Sequence, residues 1–230
     1  MHLAKQQVDI GLTTARLEPM LEFWQQEIGL PFDHVLPIRR GHDQHRHDIA
    51  GSVLKINHHD TPPPATGPSG YRELVIARAG LAAPRHLADP DGNPVGLVPP
   101  GTDGVDQIGI RIGVRNLDAH RRFYRRVLRL PEEQPGRFRA GDSVILLEPD
   151  PDAPTDAGMQ GTGWRYITFQ VFDVDHEHVA VLAGGGREAL APVTIGVTAR
   201  ISMVRDPDGN WIELSQRASI VGTLDGSGER

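Results

Sequence analysis

The sequence predicts an α+β fold in which a unit of one strand, one helix and further strands is written twice. Three recurrences carry that prediction. Val8–Thr14 alternates in period two and leads into Leu17, Met20, Leu21, Trp24 and Ile28 at helical spacing. The same order returns one hundred residues on, with Ile108–Val114 followed by Leu117, Phe123, Tyr124, Val127 and Leu128. Gly70-Tyr71-Arg72 is matched by Gly163-Trp164-Arg165, and Asp89-Pro90-Asp91-Gly92-Asn93 by Asp206-Pro207-Asp208-Gly209-Asn210. The matches interleave as A, B, A′, B′.

In chain order, the first strand spans about Val8–Thr14 and its helix closes at Gly29-Leu30-Pro31. His42-x-x-His45-x-His47 is polar and reads as a loop leading into a strand that contains Ile49–Val53. Pro62-Pro63-Pro64 reads as a linker. Each B unit ends in a tight turn, with Pro fixing one φ and Gly taking a positive one, and then a last strand: Pro94–Val98 and Trp211–Ser215. B′ has room for a helix over about Val174–Ala183, stopped by Gly184-Gly185-Gly186. Only residues 79–88 separate Arg78 from the turn in B, so that unit lacks its helix. Pro99-Pro100-Gly101 to Asp106 reads as the main linker. The expected division is residues 1–102, 103–218, and a flexible polar tail, 219–230.

The composition is that of a globular protein, with 38% hydrophobic residues and a formal charge of −6. That balance offers no basic footprint for nucleic acid or anionic membrane, so the expected partner is a small molecule. Cysteine is absent, which excludes disulfides, thiolate nucleophiles and Cys-ligated zinc. No apolar leader opens the chain and no run approaches the roughly 18 apolar residues of a membrane span, so cytoplasmic residence is expected.

Paired β-α-β-β-β modules with the Asp-Pro-Asp-Gly-Asn turn, ending in Glu213-Leu214, resemble the vicinal oxygen chelate superfamily. Its members include glyoxalase I, extradiol dioxygenases, and the bleomycin and fosfomycin resistance proteins. The resemblance implies two tandem glyoxalase-type domains whose mixed sheets curl into cups. It also implies a lyase, isomerase or dioxygenase activity, or metal-free sequestration of a small molecule. The cofactor it implies is a divalent metal (Fe, Mn, Zn, Ni or Mg) and no nucleotide. The superfamily's ligand positions fall on Asp9, Lys55, Glu73 and Gly96 in the first half and on Gly109, Ile145, Tyr166 and Glu213 in the second. Most of these are not ligand types; Glu213, with Asp9 and Glu73, are the remaining metal candidates.

Alternation places Asp9, Lys55, Asn57 and Glu73 on one expected cup, either as a salt-bridged plug or as a site in which Glu73 is a base and Lys55 neutralises an anion. The second cup would present Arg111, Tyr166, Gln170 and Glu213, with Gly109 and Gly113 leaving space. His47 and His59 could reach a cup rim, whereas His120, His176 and His178 are expected at the surface. Arg121, Arg122, Arg125, Arg126 and Arg129 form one helix face, either solvated or else an anion-binding or oligomer contact such as that of a homodimer.

Overall fold

A computed structural model of the chain describes residues 1–222 and 224. Module A runs β1 (Asp9–Thr14), α1 (Leu17–Glu22), β2 (Phe32–Arg39), β3 (His42–Ile49) and β4 (Ser52–His59). Module B is β5 (Tyr71–Ala77), β6 (Arg85–Ala88) and β7 (Pro94–Val98), with no helix between its first two strands. Module A′ repeats A as β8 (Ile108–Val114), α2 (Leu117–Arg122), β9 (Glu132–Gln134), β10 (Arg137–Ala140) and β11 (Ser143–Pro149). B′ is β12 (Gly163–Gln170), α3 (Val174–Ala183), β13 (Arg187–Ile195), β14 (Ala199–Arg205) and β15 (Trp211–Arg217), followed by α4 (Ala218–Val221). The rest of the expected tail, apart from Gly222 and Leu224, lies outside the described residues. No helix among those described is long and apolar enough to cross a membrane.

Two mixed sheets result, and neither follows one half of the sequence. The eight-stranded sheet has the order β13-β14-β15-β12-β1-β4-β3-β2, so it joins A to B′. The seven-stranded sheet, β6-β7-β5-β8-β11-β10-β9, joins B to A′. The seams are antiparallel: Gly11 pairs with Tyr166 where β1 meets β12, and Glu73 with Arg111 where β5 meets β8. The eight-stranded sheet curls into a half-barrel until its two edges, β2 and β13, line one cavity.

Both A-type helices finish in a π-helical segment, Phe23–Glu27 and Phe123–Val127, closed by Ile28 N–H to Phe23 C=O and Leu128 N–H to Phe123 C=O. The apolar stripe that predicted these helices is what they bury. Trp24 is fully buried edge-on to Trp164 of β12, with ring centroids 5.9 Å apart, and Tyr124 packs on Phe138 of β10. The helix of the first module is therefore fastened to the last module, and truncating Trp24 would cost about 3–5 kcal/mol.

The two Asp-Pro-Asp-Gly-Asn turns tie the sheets to each other. Asp206 Oδ1 accepts the N–H groups of Asp208 and Asn210 at 3.0 and 2.9 Å, while Gly209 takes φ +87°. Asn210 Oδ1 then accepts Gly70 N–H at the start of β5 in the other sheet, at 2.7 Å. His120 is fully buried against this turn, 3.5 and 3.6 Å from the carboxylates of Asp206 and Asp208, instead of at the surface. Burial works to lower its pKa, but the two carboxylates outweigh it and raise it. His178 is likewise buried, and its Nε2 meets Glu188 Oε2 at 2.8 Å.

Candidate functional site

The concave face of the half-barrel holds a cavity of about 430 Å³. Period-two alternation supplies its lining: Gln44 and Arg46 from β3, Lys55 and Asn57 from β4, Tyr166 from β12, Glu213, Ser215 and Arg217 from β15, and Ile201 and Met203 from β14. β1 crosses the middle with Gly11, where a Cβ would collide with the Tyr166 ring. Glycine there lets the ring lie across the strand.

The polar floor is a hydrogen-bonded network. Lys55 Nζ donates to Glu213 Oε2 at 2.8 Å and to Thr168 Oγ1 at 2.6 Å, and Thr168 Oγ1 donates to the same Glu213 oxygen at 2.7 Å. The ammonium also lies 5.3 Å from the Tyr166 ring centroid. Burial pushes the Lys55 pKa down, while Glu213 and Asp9 act to hold it up. Tyr166 Oη accepts Asn57 Nδ2 at 3.2 Å and Gln44 Nε2 at 3.3 Å. Burial, and then the Glu213 carboxylate, push its pKa up, so it is a neutral phenol. With two donors already aimed at its oxygen and no acceptor for its own proton among the described residues, its O–H is free to face the cavity. Glu213 Oε1 likewise has no donor there.

Of the site residues expected from sequence, Lys55, Asn57, Tyr166 and Glu213 meet in this cavity. Asp9 is fully buried beside it, in register with Thr168, but is occupied by Lys5 Nζ at 2.7 Å, Val53 N–H at 2.9 Å and Gln170 Nε2 at 3.1 Å. Glu73 and Arg111 do not join them. They sit on the other sheet, where Arg111 binds Glu73, Glu148 and Asp103 at 2.8, 2.6 and 2.6 Å and His86 caps Glu73. That cup is filled by Val75, Val98, Val105, Val144 and Leu146. Gly109 leaves no space there because a Cβ would strike Val105, and Gly113 is crowded by Arg72 and Asp150. The expected His42–His47 loop is β3 itself. His47 points away from the cavity, buried against Phe32 and within 3.0 Å of Gln25, and burial pushes it down to about 4. His59 stacks on His42 at 4.1 Å, and of the pair only His42 lines the cavity.

The sequence reading passed over Gln44, Arg46, Thr168 and Arg217. The signal for Arg217 was present, since Glu213, Ser215 and Arg217 share one strand face; β3 was obscured because its strand is polar.

The curled sheet brings together one of the superfamily's ligand positions from each of its four relevant strands: Asp9, Lys55, Tyr166 and Glu213. They do not fit a divalent metal. Lys55 places an ammonium against the Glu213 carboxylate, Asp9 is committed elsewhere, and Tyr166 is a neutral phenol. Among the described residues no three His, Asp or Glu side chains gather as a metal-binding group.

Residues 104–214 match the family model described as the Glyoxalase/Bleomycin resistance protein/Dioxygenase superfamily. Glyoxalase I from Zea mays aligns with a TM-score of 0.71 at 13% identity, over 91% of this chain and 92% of that one. A mutant of the same enzyme gives 0.73 at 13% identity, over 97% and 96%. A proposed dioxygenase from Bacillus subtilis subsp. subtilis str. 168 gives 0.67 at 14%, over 94% and 85%. No curated protein sequence matches the chain. Identities this low show likeness of fold alone. By sequence, residues 104–214 belong to the Glyoxalase/Bleomycin resistance protein/Dioxygenase superfamily, and the fold is glyoxalase I-like over nearly the full length of the chain.

Proposed function

We propose that the chain is a superfamily enzyme that moves a proton beside a carbonyl of a small molecule held in the half-barrel cavity, without a divalent metal. The observation that carries this reading is Lys55 Nζ, a cation fixed between Thr168 and Glu213 on the cavity floor, at positions from which relatives could ligate a metal. A substrate carbonyl that accepts the Tyr166 O–H beside the Lys55 ammonium gains stabilisation as charge grows on its oxygen. The C–H proton passes to Glu213, whose Oε1 has no partner, and the bonding electrons move onto that oxygen. As charge grows on the substrate oxygen, the Lys55 ammonium turns its interaction from the carboxylate toward it.

The test is deuterium exchange at the carbon next to the carbonyl in a panel of ketones and 2-oxo acids, followed by proton NMR with EDTA present. A compound that binds should exchange, and Glu213→Gln should slow the exchange by roughly 10²–10⁴ while keeping affinity within a few fold. Exchange that persists in Glu213→Gln would remove the base from the mechanism. Compounds that bind without any exchange would support the sequestering role instead.

A further inference from the structure

Two guanidinium groups line the cavity and have no part in the floor network's ion pairs. Arg46 is only 4% exposed, yet no carboxylate contacts it; Nη1 donates to Gln44 Oε1 at 2.7 Å and Nε has no partner. Arg217, at the end of β15, is half-buried, and its side chain makes no hydrogen bond or ion pair with the described residues. Of the acids that act on Arg217, Glu213 is engaged by Lys55 and Thr168, Asp9 by Lys5, and Asp33, outside the cavity lining, lies beside His34. The cavity thus holds Lys55, Arg46 and Arg217 against one carboxylate.

Burying unpaired like charges is costly unless a counter-charge arrives. The Arg217 pKa is lowered, first by burial and then by Arg46, so the two cations feel each other. Arginine in this setting is suited to a planar anion, because its N–H fork can meet both oxygens of a carboxylate. Beyond the two arginines the wall carries Leu36, Ile38, Ile201 and Met203, beside the polar His42 and Thr198.

We propose that Arg46 and Arg217 form a carboxylate subsite, and that the cavity's ligand is an organic carboxylate with an apolar body; this rests on the reading of the cavity as a small-molecule site. The ligand carboxylate takes the unmet donors of the two arginines, its apolar body lies along Ile201 and Met203, and its reacting end reaches Tyr166 and Lys55. Arg46 acts a second time through Gln44: by occupying the amide oxygen it turns Gln44 Nε2 toward Tyr166 and Asn57.

The test compares naphthalene-2-carboxylate with its neutral amide, titrated by naphthyl fluorescence. The acid should bind wild type roughly tenfold or more tightly than the amide. In Arg217→Met the two affinities should converge while that of the amide stays unchanged, and Arg217→Lys should recover part of the preference. Arg217 is the primary variant because it is half-exposed and its removal spares the fold; Arg46→Met, read the same way, adds the second cation. Equal binding of acid and amide by wild type, or a preference unmoved in Arg217→Met, overturns the carboxylate subsite and leaves the small-molecule cavity standing. If neither compound binds, the cavity reading falls and the subsite falls with it.

Discussion

At Gly11 a single hydrogen decides whether the polar floor can assemble. Gly11→Ala drives a methyl into the Tyr166 ring, so the hydroxyl must leave Gln44 and Asn57; the expected loss is about 1–3 kcal/mol of stability. Naphthalene-2-carboxylate binding should be lost with it, and an unchanged melt with unchanged binding would contradict this packing. His47 gives a pH signature. Burial holds its imidazole down to about 4, while the unfolded chain takes up that proton near 6.5. Stability contributed here is present above pH 6.5 and is lost as pH falls toward 4, by about 2–3 kcal/mol. Asp89, pushed up to about 6 by burial against its hydrogen bonds from Asn93, works in the opposite direction. The difference between wild type and His47→Gln is therefore the quantity to follow by urea denaturation at pH 7, 5.5 and 4. It should shrink as pH falls, and a difference that holds constant would refute the assignment. Alternation fixes which face a side chain takes, so Lys55, Asn57, Tyr166 and Glu213 were each read as cup-facing, but they were assigned to two separate cups and the pairing of β1 with β12 brings them into one. Glu73 and Arg111 were misplaced because alternation does not say which module a strand pairs with. Arg46 and Gln44 were hidden in a run of polar and histidine residues whose strand identity comes only from pairing with β2 and β4.

At the scale of elements, the β3–β4 hairpin joins Ile49 to Ser52 through Ala50 and Gly51, both at positive φ, 49° and 87°. Two consecutive left-handed residues define a type I′ turn, where Asn-Gly is favoured and alanine bears a steric cost. Ala50 is exposed, so Ala50→Asn should raise stability by about 0.5–1 kcal/mol, seen as a higher melting temperature with unaltered ligand binding. A lower melt would show that the turn is not of this type. The strand-then-helix pattern of both A modules was legible, since its apolar stripe is the buried face. Their π-helical ends were not, because widening a helix by one residue leaves the stripe's composition unchanged. The positive φ shared by Gly29 and Arg129 after those segments marks the equivalence of the two copies, one using glycine and the other arginine, which the Glu177 ion pair holds in place.

For the whole molecule, the repeat was readable from spacing alone, yet the choice of partner was not. A could pair with B or with B′ and bury similar faces either way, and the difference lies in Asn210 reaching Gly70 and Trp24 reaching Trp164. Each sheet therefore needs both halves of the chain. Residues 1–102 and 103–230 expressed separately should each fail to give a cooperative melt, and mixing them should restore one along with the circular dichroism of the intact protein. A half that melts cooperatively as a monomer on its own would defeat that expectation.

Module pairing also sets the order in which the chain can be finished during synthesis. The seven-stranded sheet has all its strands once Pro149 has been made. β1 must wait for β12, and the Asp9–Gln170 hydrogen bond closes across 161 residues of sequence. Until then β1 leaves the ribosome with one side of its backbone unpaired, an edge open to the same strand of a neighbouring nascent chain. The filled cup is thus built early from shorter-range pairings, whereas the hollow one closes late, at a larger loop-closure entropy. Slow assembly and a need for protection during translation fall on the sheet that carries the cavity.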